Sequence, residues 1–337
     1  DMYTVGKTLP EIFGAASPKG NYADMTTKGW EITLTWRDHF ELASKPFNYE
    51  IKGTLSDYIS TIDRYNNENK YLDDYYEGMR VGEIWGYETE GLFKDQADID
   101  NHATQKLIKS SSKNIWYPGD VKLKDQDGNG AIDYGTNRVD DHGDLKVIGN
   151  SLPRFAYSIN LSGDWNNFFI SAFFQGVGKQ DWYPSSECIF WGQYNRPYNN
   201  LPTWHVDNYW TEDNQGAYLP RYAGYNTSIR DTKQTRYLQN VAYIRLKNLQ
   251  FGYTLPKQWI SKIMLQNARV YISAENLWCW SPLYKHTRDL DVTNIYGSDP
   301  DLTDADMKSG LNGKRGSGDG NSYPQMRSVS LGVSVTF

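Results

Sequence analysis

The final thirteen residues, Gln325-Met-Arg-Ser-Val-Ser-Leu-Gly-Val-Ser-Val-Thr-Phe337, constrain the fold more than any other stretch of the chain. Val329, Leu331, Val333, Val335 and Phe337 alternate without a break against Ser328, Ser330, Gly332, Ser334 and Thr336. Successive side chains of a strand point to opposite faces, so this segment predicts a strand with one wholly apolar face and one small, polar face. Two architectures accept such a strand. An outer-membrane barrel turns the apolar face to lipid and the polar face to a wet lumen, with aromatic girdles at the interfaces. A soluble β-sandwich buries the apolar face against a second sheet.

The same period recurs upstream. Trp30, Ile32, Leu34 and Trp36 alternate with Glu31, Thr33, Thr35 and Arg37, and Phe47, Tyr49, Ile51 and Leu55 with Asn48, Glu50, Lys52, Thr54 and Ser56. Phe155, Tyr157, Ile159 and Leu161 lead through the tight link Gly163-Asp-Trp-Asn166 to a return strand carrying Phe168, Ile170, Ala172 and Phe174. Leu249, Phe251 and Tyr253 form one more apolar face, and Val270, Ile272 and Ala274 another. With the terminal strand this makes seven, each near the roughly 9–11 residues that a tilted membrane strand needs. Short links, one holding a predicted short helix over Pro256 to Met264, alternate strictly with long ones at 58–153, 177–240 and 281–324. That rhythm is how outer-membrane barrels place periplasmic turns and extracellular loops, whereas unstructured loops of this length are unusual in a compact soluble domain. If the last strand ends at the periplasmic face, all three long loops are extracellular.

Composition narrows the function. No stretch of the 337 residues approaches the roughly 18 consecutive apolar positions of a membrane helix. A mean hydropathy of −0.71 is compatible with a barrel, because half of each strand and most loop residues are polar. Twelve Trp and 26 Tyr suit membrane interfaces and sugar-binding surfaces alike. A net charge of −6 without a basic, aromatic-interleaved cluster argues against nucleic acid. The histidines His39, His102, His142, His205 and His286 are scattered, and no carboxylate pair stands out for acid/base work, so an enzymatic reading finds no support. The run Gly310 to Arg315 only superficially resembles a phosphate loop, with Lys308 at the first Gly position and Arg315 in place of Ser/Thr. Cys188 and Cys279 fit no metal spacing, and pairing between them stays open. The chain opens in loop-like sequence without a signal peptide, which suggests part of a larger polypeptide.

Asp125-Gln-Asp-Gly-Asn-Gly-Ala-Ile-Asp133 is the sharpest chemical motif. Asp125, Asp127, Asn129, the Ala131 carbonyl and Asp133 match ligand positions of a calcium loop, with Gly130 at its turn position. Thr136 stands where the bidentate Glu belongs, so Asp140 or Asp141 is the expected replacement. The bland alternative is an Asx/Gly-rich turn held by its own side chains. A bound calcium would be structural, and no catalytic cofactor is expected. In the second long loop Trp182, Tyr183, Trp191, Tyr194 and Trp204 are the candidate sugar-stacking residues, weighed against simple packing between loops.

The order and spacing of several motifs resemble the C-terminal part of SusC/RagA-type TonB-dependent outer-membrane receptors over nearly the whole chain. They begin with Leu9-Pro10, Gly14, Pro18, Asn21, Met25, Lys28-Gly29 and Glu31, and continue with Gly78, Gly82, Ile84-Trp-Gly-Tyr87 and Gly91-Leu-Phe93. Pro118-Gly-Asp120, the Asp125–Asp133 run, Ile148-Gly-Asn150, Pro153-Arg-Phe155 and Phe173-Phe-Gln-Gly176 come next. Trp210 to Asn214, Pro220-Arg221, Ile244 to Asn248, Gly252 to Pro256, Glu275-Asn-Leu277 and the terminal Phe337 complete them. The resemblance implies an all-β fold, the final strands of a transmembrane antiparallel barrel of about 22 strands whose lumen is plugged. It implies a non-enzymatic nutrient importer in a Gram-negative outer membrane, bounded by lipid and lipopolysaccharide. That importer would take up oligosaccharides, or alternatively peptides, with a SusD-like lipoprotein as lid. TonB contact, the plug and the remaining strands would come from the rest of the receptor, and receptor–lipoprotein pairs would dimerise. The competing class is a soluble, calcium-stabilised, glycan-binding β-sheet module.

Overall fold

The computed structural model describes residues 2–5, 12, 14, 18–105, 108, 115–295 and 324–337. Leu9-Pro10, the Gly310 to Arg315 run and most of the third long loop lie outside the described residues.

Eight strands form one antiparallel sheet whose spatial order is their chain order. They are β1 (Met2–Val5), β2 (Lys19–Leu42), β3 (Lys45–Arg64), β4 (Arg154–Trp165), β5 (Phe168–Lys179), β6 (Tyr243–Thr254), β7 (Asn267–Trp280) and β8 (Ser328–Thr336). The pairing keeps apolar residues opposite one another: Ile32 faces Leu55, Trp36 faces Ile51, Phe251 faces Ile272, and Ile272 faces Leu331. Among the described residues no second sheet covers them. Leu34 is 71% exposed and Leu331 75%, with Trp30, Ile32, Val329, Val333 and Val335 also open. A sandwich would have enclosed these side chains, so the sheet is a one-layer wall with an apolar outer face. Its edges β1 and β8 do not pair with each other. Among the described residues no helix is long and apolar enough to cross a membrane, which says nothing about crossing by strands.

One end of the wall carries tight connections. Ala43 and Ser44 turn β2 into β3, and Asn166 and Asn167 turn β4 into β5, all four at positive φ. Two left-handed residues in succession suit the right-handed twist of a two-residue hairpin, and Asn tolerates that conformation well. The β6–β7 connection holds the expected helical turn, Lys257–Ile260 followed by Ser261–Ile263 and a left-handed Met264. Aromatic rings gather at this end: Phe40 stacks on Phe47 at 5.0 Å, and Phe168 on Phe251 at 5.9 Å.

The strands run further than their apolar periods foretold. β2 and β3 extend well beyond Gly29 and Ser56, so the first loop begins at 65 rather than 58. In that extension both faces carry polar residues, and period-two hydropathy has no contrast to show. β6 begins at Tyr243, and its ladder shifts register between Leu246 and Asn248. β7 continues to Trp280 across a left-handed Asn276. The extra residue in β6 flips parity at that shift, so Ile244 and Leu246 take the side that Leu249 and Phe251 hold further along. β7 keeps its even-numbered residues outward on both sides of Asn276, so Trp278 and Trp280 follow Val270 and Ile272 and give the loop-bearing end of the wall its own aromatic pair. β1 lies in the opening stretch expected to be loop, since four residues show too few alternations to register.

The three long connections pack into a single cap at the opposite end. Val121 of the first shares one buried cluster with Trp182, Phe190, Trp191, Leu219, Ile229 and Tyr237 of the second, and with Leu283, Leu290, Val292 and Ile295 of the third. A satellite core of Tyr87, Ile108, Leu123 and Ile132 lies within the first connection. The molecule therefore has its hydrophobic core in its loops.

Candidate functional site in the loop cap

The cap is built around aromatic rings with tethered polar tips. Phe190 and Trp191 meet edge to face at 5.1 Å, and Trp191 meets Tyr237 at 5.7 Å. Trp191 Nε1 donates to the Pro184 carbonyl, Tyr194 Oη to that of Pro220, and Tyr183 Oη to that of Thr232. Satisfying each ring's polar atom removes the main cost of enclosing it. His205 is fully enclosed with its ring 4.3 Å from that of Trp204, and Nε2 bonds the Phe190 carbonyl. Burial pushes its pKa down to about 4, so it is neutral at pH 7.

This placement corrects the stacking expectation. Trp182, Tyr183, Trp191 and Tyr194 are buried, and Trp204 packs between Phe190 and His286. Their faces are taken up by neighbouring rings and offer no platform to a sugar. Sequence could not separate the two roles, because an aromatic-rich loop has the same composition whether its rings face solvent or one another.

Motifs distant in sequence converge on one joint between the first two loops. Gly119, at φ +84°, lies directly beneath the Trp210 indole, where a Cβ would collide with the ring. Asp120 pairs with Arg221 at 2.7 Å, and the Arg221 guanidinium lies over the Tyr117 ring. Burial raises the Asp120 pKa, an effect that Arg221 opposes. Pro118-Gly-Asp120, Trp210 and Pro220-Arg221 are thus parts of one clamp. No disulfide joins Cys188 to Cys279.

The acidic loop folds compactly. Asp125 accepts from the amides of Gly128 and Gly130 at 2.7 and 2.8 Å, which holds its carboxyl below the usual carboxylate range. Asp127 accepts from the Asn129 amide, Asn129 from that of Ala131, and Asp133 from that of Gly135. Asp140 pairs with Arg138, and Asp141 accepts from Thr136 Oγ1 at 2.7 Å. The acid brought to the loop's carboxylates is Asp144, which stands outside the motif and which spacing did not single out. One oxygen from each of Asp125, Asp127 and Asp144 lies within 4.8 Å of the others. Asp144 is 0% exposed and accepts from the Gln126 and Asp133 amides. Its distance along the chain from a nine-residue motif hid it, and only the fold-back at Asp133 to Asp144 reveals it.

A cleft of about 750 Å³ opens between the first and second loops. It presents the half-exposed Tyr134 ring and partly buried Trp85, with Asp73, Asn137, Asp231 and Lys233 around them. These groups combine apolar faces with hydrogen-bonding rims, the usual character of a small-ligand site.

A one-layer antiparallel wall, apolar outside and polar inside, with turns at one end and long loops at the other, defines a segment of a membrane-spanning β-barrel. No known family signature matches the sequence. The chain is 27% identical, over its whole length, to TonB-dependent receptor P3 of Formosa agariphila, covering 32% of that protein. It is 25% identical to TonB-dependent receptor P26 of the same organism, matching 98% of this chain and 31% of that one. It thus spans about a third of the length of the curated relatives it matches. Among solved structures, the RagAB peptide transporter superposes with a TM-score of 0.54 at 17% identity, covering 82% of this chain and 28% of that one. The RagAB peptide importer in its open-open state gives 0.56 at 17%, covering 83% and 28%. The chain is similar to the C-terminal part of SusC/RagA-type TonB-dependent receptors.

Proposed function

We propose that the chain forms late barrel wall and extracellular cap of a TonB-dependent importer in a Gram-negative outer membrane. Oligosaccharide is the proposed cargo, delivered from beneath a SusD-like surface lipoprotein. The observation that carries this reading is the uncovered apolar face from Trp30 to Trp36 and from Val329 to Val335, set against a polar inner face. Lipid is the layer that covers such a face without a second sheet. Unpaired edges are not tolerated in hydrocarbon, so the remaining strands, the plug and the TonB-contacting segment are assigned to the rest of the receptor. Two receptor–lipoprotein pairs would associate as a dimer.

The Tyr134 and Trp85 cleft supports a sugar cargo in place of the buried rings, since it offers ring faces beside carboxylate and amide groups. Peptide is the second reading, favoured by a fold shared with structures described as a peptide transporter. Isolating the native complex in detergent and identifying its co-purified ligand by mass spectrometry tests both. Oligosaccharide is expected, and peptide would replace it. A receptor that stays monodisperse in plain buffer would overturn the importer and leave the soluble glycan-binding module.

Calcium is the proposed structural ion of the acidic loop. The residues present suit it: oxygens of Asp125 and Asp127 are joined by one from Asp144, a buried carboxylate with no cationic partner in contact among the described residues. Ile132 in the satellite core and the Thr104–Ala131 bridge anchor the loop beneath it. An ion there would clamp a long connection that has little regular structure of its own. Chelation should make residues 120–145 protease-sensitive in the intact receptor, and Asp144→Ala should mimic chelation. Identical digestion patterns with and without chelator would remove the ion from this account.

A further inference from the structure

Where the third loop leaves the wall, a cleft of about 210 Å³ is lined, among the described residues, by more cationic than anionic groups. Arg245 is only 4% exposed and lies opposite Cys279 in the ladder. That parity puts it on the inner face, away from the outward Ile244 and Trp280. Arg245 Nη2 donates to Asp291, and Nη1 donates to Gln325 Oε1 at 3.0 Å. Its Nε is buried and has no partner among the described residues. The Oδ1 of Asn276, in the same lining, is likewise buried and unpaired. Arg288 and Arg327 complete the rim, so among the described residues three guanidinium groups face one carboxylate, already engaged by Arg245.

Unpaired polar atoms inside a folded protein are uncommon and call for a reason. A water molecule, whose share of liquid volume is about 30 Å³, would satisfy single atoms but would neither fill this cleft nor balance its charge. An oxyanion answers the free Nε and the two rim arginines with charge-assisted hydrogen bonds. An adjacent hydroxyl answers the free carbonyl of Asn276, which an anion alone cannot. Both groups occur side by side on a sugar acid.

We infer that this cleft is a lumen-facing subsite for an acidic saccharide, one whose carboxylate or sulfate is held by Arg245, Arg288 and Arg327 while a neighbouring hydroxyl donates to Asn276. The inference rests on the import reading and deepens it by naming the charge of the cargo.

The test uses the intact receptor co-purified with its lipoprotein, with glucuronate, glucose and inorganic sulfate as probes in titration calorimetry. Glucuronate should bind about tenfold or more tightly than glucose, as expected for a charge-assisted bond. Sulfate should compete with glucuronate but bind more weakly, lacking the hydroxyl. The exposed pair R288Q and R327Q, which leaves the Arg245–Asp291 contact in place, should weaken glucuronate about tenfold. Equal binding of glucose and glucuronate, equal binding of sulfate and glucuronate, or a double variant that keeps its affinity would each overturn the subsite. TonB-dependent uptake of neutral oligosaccharide by cells distinguishes the two levels. Its persistence alongside a failed titration sinks only the subsite, whereas loss of all uptake in the unaltered receptor sinks the import reading itself.

Discussion

The wall and the cap use the same residue types in opposite ways. In the wall, Leu34, Leu331, Trp30 and Trp36 stand uncovered on one face of a single sheet. In the cap, Trp182, Trp191, Phe190 and Tyr237 are enclosed by segments that would ordinarily be called loops. A soluble domain hides apolar surface between layers of regular structure. This chain leaves the apolar side of its regular structure to lipid and builds a protein core from irregular segments. Side-chain hydropathy therefore follows the medium each region meets rather than the regularity of its backbone.

The largest effect should come from hollowing the cap. Trp191→Ala removes a ring with 0% exposure and should cost roughly 3–5 kcal/mol. Proteolysis of the intact receptor should then open the second loop while the hairpins of the wall stay protected. Simultaneous loss of the wall would show that the two regions are one cooperative unit.

A charge on the outer face comes next. Leu331→Arg should cost about 2–4 kcal/mol of assembly in lipid if the residue lies near the bilayer midplane. A soluble protein would absorb the same change at an exposed site within about 0.5 kcal/mol. Measuring folding into liposomes against urea separates the two, and a neutral result would break the comparison on the wall side.

The cap should also carry a pH dependence set by its buried histidine. The folded pKa of His205, about 4, lies below the ordinary value of about 6.5. Below pH 6.5 the unfolded chain gains a proton that the folded cap refuses, so cap stability falls from there to about pH 4 and then levels. The loss is at most roughly 3 kcal/mol. His205→Gln should flatten the profile across that window, as read by protease resistance of the second loop.

The smallest effect is expected on the inner face of the wall. Arg37 pairs with Glu50 across β2 and β3, but the arginine side chain is largely exposed. Arg37→Ala should cost less than about 1 kcal/mol and less still at high salt. A larger penalty would mean that another part of the receptor lies against that pair.

What could be read ahead of the structure differed between the two regions for a physical reason. The apolar face of β8 was visible from Val329 to Phe337 because a strand maps a two-residue period directly onto space. Turns at Ala43-Ser44 and Asn166-Asn167 were implied by short links between such periods. The outward Ile244 and Leu246 were not visible, because the extra residue between Leu246 and Asn248 inverts the parity that Leu249, Phe251 and Tyr253 set. Nor was the role of Trp182, Trp191 or Asp144, since each depends on what another loop brings alongside.

Alternation by itself determined that this chain makes a one-faced antiparallel wall with long connections at one end, because strand geometry is local and needs no partner to set which side a residue faces. Tertiary structure alone decided that the connections share a core, that Asp144 joins Asp125 and Asp127, and that Arg245 meets Asp291 and Gln325. Those contacts join segments many residues apart, and their partners are chosen by packing and charge compensation, neither of which is periodic in sequence.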